Sequence, residues 1–272
     1  MSTKPIYVGT DVGASRTKVA VLDAERKLIG WAVKKSGTDF AATAQACLDL
    51  ALEQAGARES DIVRTVSTGY GRNNVAYAGD SKTEIGCHAK GCFFYFPYPT
   101  TIIDIGGQDN KIIKLDDKGL RTNFKMNRKC AAGTGAFLEE MAMRLDVSLE
   151  EMDGLARRSE NMVKLGSFCT VFSATEVLEN IRQGVKLPDI VKGVFFSMTK
   201  RVLEMDSLTE KVVMTGGVVA HNPYMVKMTE EIIGRSILVP EYPQFTGAIG
   251  AALYGMGKYG SGFRVLDGMK MA

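Results

Sequence analysis

The chain has 272 residues, 34 basic against 31 acidic side chains, a net charge of +3 and 45% apolar residues. That length suggests about two domains and a core large enough to need no disulfide staples, while the composition excludes disorder and a nucleic-acid footprint. No apolar run approaches the ~18 residues of a membrane helix, residues 1–13 show no signal-peptide core, and the five cysteines are odd in number and irregular in spacing, so a cytoplasmic protein with reduced thiols and no membrane partner is expected.

Residues 6–8 and 18–22 are predicted strands around a glycine-containing turn. Residues 43–55 carry apolar side chains at helical spacing (Ala44, Leu48, Ala51, Leu52, Ala55) and are predicted as an amphipathic helix. A short strand follows at 61–67, a glycine-punctuated turn at 68–72, and a mixed helical stretch at 73–96. Pro97 to Pro99 is the candidate domain boundary.

A second strand–turn–strand unit is predicted at 101–115, and it repeats the first. Residues 11–23 (DVGASRTKVAVLD) align without a gap on residues 104–116 (DIGGQDNKIIKLD), at an offset of 93 and with five identities in thirteen positions. Asp, Gly and Lys recur in the same order inside the same local structure, which reads as duplication of a half-domain. Two such halves imply two lobes with a cleft between equivalent hairpins: residues 1–97 with about 249–272 as one lobe, and 98–248 as the other.

Helices then dominate, at 131–145, 148–159, 173–184 and 189–205, with Ser173 and Glu176 as a capping box. Residues 211–215 are predicted as a buried strand running into Gly216 and Gly217, followed by a helix from about Pro223. Residues 245–257 form a small-residue helix suited to close packing. The tail after Gly260 is expected to be loosely ordered.

Asp11 stands at a strand end, followed by a turn of Gly13, Ala14, Ser15, Arg16 and Thr17 and then by Lys18. Backbone N–H groups in such a turn cradle phosphate oxygens, and Lys18 adds positive charge. The repeat offers a second carboxylate, Asp104, and a second turn at Gly106 and Gly107. Two carboxylates across a polyphosphate suit Mg²⁺, which keeps several waters and takes few protein ligands. The turn at Gly216 and Gly217 lets a flat ring approach the backbone. Taken singly, Asp-x-Gly turns are common; the duplication gives the pair a shared purpose.

Cys130 and Cys169 each precede a predicted helix, which favours bound negative charge. A thiolate-ligated [4Fe–4S] cluster is such an anion and takes four Cys ligands, so a symmetric dimer would supply two per chain. An isolated Cys is more often a small buried hydrophobe, and a separation of 39 residues is not a metal motif. The residues alone leave both readings open. Cys47 reads as core, and Cys87, His88 and Cys92 as at most a fragment of a metal site. Lys125, Arg128 and Lys129 are either a solvated face or a surface that steers an acidic electron donor.

Two Asp-x-Gly hairpins followed by strand, Gly-Gly and helix resemble the actin, hexokinase and sugar-kinase ATPase superfamily. More specifically, residues 68–73 (TGYGRN), 104–109 (DIGGQD), 127–135 (NRKCAAGTG) and 169–172 (CTVF) are similar to the activator ATPases of 2-hydroxyacyl-CoA dehydratases. That family includes ATPase subunits of benzoyl-CoA reductase and reductases of double-cubane-cluster proteins. The likeness spans Gly9 to about Gly257. It implies a duplicated actin/ribonuclease-H-like α/β fold, ATP/ADP and Mg²⁺ between the hairpins, and adenosine at Gly216 and Gly217 with Ala220 and Gln244 nearby. It implies one [4Fe–4S] cluster per homodimer on Cys130 and Cys169, reduction by ferredoxin or flavodoxin, and delivery of one electron to a partner iron–sulfur enzyme. Asp104 and Gln108 are the candidates for positioning the hydrolytic water, and Asp11 for anchoring hydrated Mg²⁺. One departure stands at Arg128, where the family pattern leads to Asp-Lys-Cys or Asp-Arg-Cys. A small-molecule kinase of the same fold would need an acceptor pocket, for which the chain leaves little material. An actin-like scaffold would have no use for the two cysteines.

Overall fold

The computed structural model describes residues 5–166 and 169–257. The tail after Gly260, and Ser167 and Phe168 beside Cys169, lie outside the described residues. The chain opens with an antiparallel meander, β1 (Ile6–Val12), β2 (Arg16–Asp23) and β3 (Leu28–Lys35), which leads into α1 (Phe40–Ala55). Next come β4 (Ile62–Thr68), parallel to β1, the short β5 (Asp80–Ser81) and α2 (Glu84–Tyr95). The strand order is β3-β2-β1-β4-β5.

The same plan then recurs. β6 (Thr100–Ile105), β7 (Asn110–Leu115) and β8 (Arg121–Asn127) form a second meander, and β9 (Val212–Thr215) runs parallel to β6. The order is β8-β7-β6-β9. Between β8 and β9 the chain makes α3 (Gly135–Leu145), α4 (Leu149–Arg157), α5 (Thr170–Arg182) and α6 (Leu187–Leu203). After β9 come α7 (Gly217–His221), α8 (Pro223–Ile233) and α9 (Thr246–Gly255). This is the duplicated actin/ribonuclease-H-like architecture that the resemblance implies. Register keeps the duplication at residue level: Asp11 faces Lys18 across β1 and β2, and Asp104 faces Lys111 across β6 and β7.

Each sheet is covered on both faces, so its central strands are buried along nearly their whole length. In the first sheet Val8, Val19 and Val21 pack on Cys47 and Leu48 of α1, while Ala20 and Leu22 pack on Ala248, Ile249 and Ala252 of α9. In the second, Ile103 and Met214 meet Phe137, Met141, Val194 and Phe195, while Ile102 and Ile113 meet Ile85 and Cys92 of α2. Burying each such aliphatic or aromatic side chain contributes roughly 1.5–3 kcal/mol. The small residues of α9 serve close approach, as expected. A Cβ on Gly250 would collide with the Cys87 carbonyl oxygen of α2, and one on Gly9 with that of Ala248. Among the described residues no helix is long and apolar enough to cross a membrane.

Four helix starts differ from expectation. α2 begins at Glu84 rather than near residue 73, because β5 intervenes and the Thr83 hydroxyl caps the helix by accepting the Gly86 N–H at 3.3 Å. α1 begins at Phe40 because Asp39 caps it, its carboxylate accepting the Ala42 N–H at 2.9 Å. α5 begins a turn earlier than Ser173, with Cys169 at its N-cap, so Ser173 is a buried interior residue and no capping box forms there. Glu176 instead accepts the Gly166 N–H at 2.6 Å. α3 begins at Gly135 rather than Ala131, because residues 131–134 form a tight turn. Gly133 takes φ +83° and the Thr134 hydroxyl donates to the Ala131 carbonyl at 2.7 Å. Cys130 therefore sits in a turn ahead of the helix, not at its first residue.

Candidate functional site

The tips of the two hairpins face one another across a cleft of about 480 Å³. Asp11, Gly13, Ala14, Ser15, Arg16 and Lys18 line it from the first hairpin, and Asp104, Gly106, Gly107, Gln108, Asp109 and Lys111 from the second. Gly216, Gly217 and Gln244 line it as well. Thr17 does not; it is buried, with its hydroxyl 2.9 Å from that of Ser36. Ala220, in α7, is also outside the lining, as are Cys130 and Cys169.

The first turn closes through the Gly13 N–H, which donates to the Arg16 carbonyl at 3.0 Å, and the second repeats this with Gly106 and Asp109 at 2.9 Å. The turns nearly touch: a Cβ on Gly107 would lie 2.6 Å from the Ser15 hydroxyl. Gly216 takes φ +102° and backs onto Ile105, a conformation that favours glycine. Its N–H donates to the Pro243 carbonyl at 2.9 Å, which sets Gln244 beside Gly217. Backbone and amide groups thus line the cleft together with the two glycine turns.

Each hairpin holds a lysine–aspartate pair at 3.1 Å. Among the described residues Lys18 pairs only with Asp11, and Asp11 Oδ1 is buried without a hydrogen-bond partner. Lys111 is gripped by Asp104, by Asp109 at 2.8 Å and by Glu84 of α2 at 2.8 Å. Burial opposes its charge, but these three carboxylates keep Lys111 protonated well above the ordinary range. Burial likewise opposes ionisation of Asp104. His88, Lys111 and a 2.9 Å hydrogen bond from the Thr215 hydroxyl outweigh it and hold the carboxyl well below the ordinary range.

Local sequence patterns missed several residues that complete this floor. His88 of α2 places Nδ1 3.5 Å from Asp104 and 3.1 Å from the Thr246 hydroxyl. Its Nε2 and Asp11 Oδ2 both lie 3.1 Å from where a Cβ on Gly247 would stand. His88 thus fills the space between the two carboxylates. Cys87 and Cys92 are buried, and burial pushes the Cys87 thiol up to about 12. Among the described residues no three His, Cys, Asp or Glu side chains gather as a metal-binding group. Tyr70, Arg72 and Arg128 also line the cleft. Of these additions, only the motif at residues 68–73 and the run at 127–135 carried a signal in sequence.

The second turn is joined to the segment that follows Cys130. The Gly135 N–H donates to the Gly106 carbonyl at 2.9 Å, the Ala136 N–H to that of Gly107 at 2.7 Å, and the Asn110 amide to that of Gly133 at 2.7 Å. Cys130 and Cys169 are both exposed, and α3 packs against α5.

This geometry has close counterparts. The activator of lactoyl-CoA dehydratase from Anaerotignum propionicum is 43% identical over 250 residues, covering 91% of this chain and 96% of that protein. Among solved structures, (R)-2-hydroxyglutaryl-CoA dehydratase component A from Acidaminococcus fermentans superposes with a TM-score of 0.88 at 37% identity, covering 93% of this chain and 98% of its own. The activator of 2-hydroxyisocaproyl-CoA dehydratase from Clostridium difficile, solved with bound ADPNP, gives 0.87 at 39% identity, covering 92% and 94%. Residues 8–255 match the BadF/BadG/BcrA/BcrD ATPase family, and the chain belongs to it.

Proposed function

We propose that this chain is an ATP-driven activator that passes one low-potential electron to a partner iron–sulfur enzyme, and that the partner is a 2-hydroxyacyl-CoA dehydratase. The names of its relatives support the choice of partner. A benzoyl-CoA reductase or a double-cubane-cluster protein would use the same machinery.

One observation carries the reading: the paired hydrogen bonds from Gly135 and Ala136 to the Gly106 and Gly107 carbonyls. They join the turn that faces phosphate to the helix entered just after Cys130. In the proposed cycle, residues 1–97 with about 249–272 form one lobe and 98–248 the other. ATP closes them, and the second turn carries residues 130–136 with it. Gln108, exposed at the turn tip, orients the hydrolytic water, with Asp104 held as a carboxylate behind it. Asp11, whose buried Oδ1 lacks a partner, anchors hydrated Mg²⁺ opposite Asp104.

Cys130 and Cys169 fit a shared [4Fe–4S] cluster by chemistry and exposure, two thiolates coming from each of two chains. When bound, the cluster supplies a store for one low-potential electron. Val171 and Phe172, 71% and 64% exposed beside Cys169, give a second copy an apolar surface to cover. Ferredoxin or flavodoxin in the cytoplasm is the proposed donor. Anaerobic purification tests the reading: it predicts a homodimer with about two irons per chain, lost in Cys130→Ala together with ATP-dependent electron transfer. Normal iron content and transfer in that variant would refute it.

A further inference from the structure

We propose that Arg128 binds the terminal phosphate of ATP and thereby makes the turn carrying Cys130 responsive to which nucleotide is bound; this rests on the nucleotide site proposed above. Three observations converge on it. The first is register. Asn110 faces Asn127 at the last pair of β7 and β8, so Arg128 emerges directly beyond, beside Asp109 at the tip of the second hairpin. It lines the same cleft as Ser15, Lys18 and Gly107. Gly216 and Gly217, which suit a flat ring, follow β9, at the opposite edge of the same sheet from β8.

The second is charge. Among the described residues five cations line the cleft: Lys18 and Lys111 are paired with carboxylates, Arg72 donates to the Gly69 carbonyl at 3.3 Å, and Arg16 stands on the first hairpin, which leaves Arg128 as the free cation beside the second. Arg128 is exposed and has no salt-bridge partner among the described residues. A guanidinium presents forked N–H donors that match phosphate oxygens, and it stays charged at any working pH.

The third is mechanical. Arg128 sits in a turn pinned by Asn127. The Asn127 Oδ1 accepts the Cys130 N–H at 3.2 Å, and its Nδ2 donates to the Cys130 carbonyl at 2.9 Å and the Ala132 carbonyl at 3.3 Å. A turn closed in this way moves as a unit, so drawing Arg128 toward a phosphate displaces the backbone of Cys130.

The test is equilibrium binding of AMPPNP and of ADP, each with Mg²⁺, to the anaerobically purified protein and to Arg128→Ala and Arg128→Lys. Because Arg128 is exposed, neither variant threatens the fold. Arg128→Ala is expected to lose about tenfold or more in AMPPNP affinity, equivalent to about 1.4 kcal/mol, with ADP affinity changed less than about twofold. Arg128→Lys, which keeps the charge, is expected to retain part of the difference. Equal loss for both nucleotides, or no loss for either, would overturn the proposal, the latter assigning Arg128 to an acidic protein partner. Failure of the unaltered protein to bind either nucleotide would instead refute the underlying nucleotide site.

Discussion

The two hairpins share a register, a 3.1 Å lysine–aspartate pair and a glycine turn, yet they are built for different work. In the first, Lys18 is 17% exposed and, among the described residues, has one carboxylate, while Asp11 keeps an oxygen unpartnered. In the second, Lys111 is 2% exposed and holds three carboxylates, and Asp104 is engaged on both oxygens. The first hairpin keeps its polar capacity for a ligand. The second spends its own on holding α2, its own glycine turn and β9 together. Duplication copied the geometry, and neighbours drawn from elsewhere in the chain made the copies unequal.

Removing each lysine should expose that inequality. Lys111→Ala leaves Asp104 buried without its cation, and a loss of about 3–5 kcal/mol is expected in urea denaturation at neutral pH. Lys18→Ala should cost less, about 1–3 kcal/mol, but should weaken ATP binding tenfold or more. Equal stability losses from the two would erase the distinction drawn here. Gln108→Ala should slow hydrolysis by about 10²-fold while ATP affinity changes little; single-turnover hydrolysis and equilibrium binding separate the two. Unchanged turnover would remove Gln108 from the reaction.

The smallest effect concerns acid. The Asp104 carboxyl sits below its ordinary 3.8 in the folded protein. Its contribution to stability is therefore complete above that value and fades as pH falls through it toward the folded one. Between about pH 4 and pH 2, the unaltered protein should lose more of its urea midpoint than Asp104→Asn does. Parallel loss would mean that Asp104 is not the residue through which acid acts on the second hairpin.

Much of this was readable from residues alone, for definite reasons. The offset of 93 between Asp11 and Asp104 marked both hairpins, because strand register preserves the spacing of a carboxylate and a lysine. β8 was not predicted: its sequence, RTNFKMN, is exposed over most of its length, and its apolar alternation is confined to Phe124 and Met126, too short a run to mark a strand. The early start of α5 comes from backbone alone, the Ser173 N–H donating to the Cys169 carbonyl at 2.8 Å with no side-chain cap, and the late start of α3 from a turn tied to Asn110 and Gly106, partners distant in sequence. His88 and Glu84 reach the site from α2, at spacings no motif encodes. A histidine between two cysteines read as at most a fragment of a metal site, whereas the fold places it between two carboxylates.

The central claim is that the phosphate turn and the segment around Cys130 move together. Amide hydrogen exchange of the anaerobically purified protein, with ADP and with AMPPNP, tests this most directly. The account predicts that protection changes together at residues 106–109 and 128–136, with the Gly135 and Ala136 amides among them. A change confined to 106–109, leaving 128–136 as they were, would contradict it.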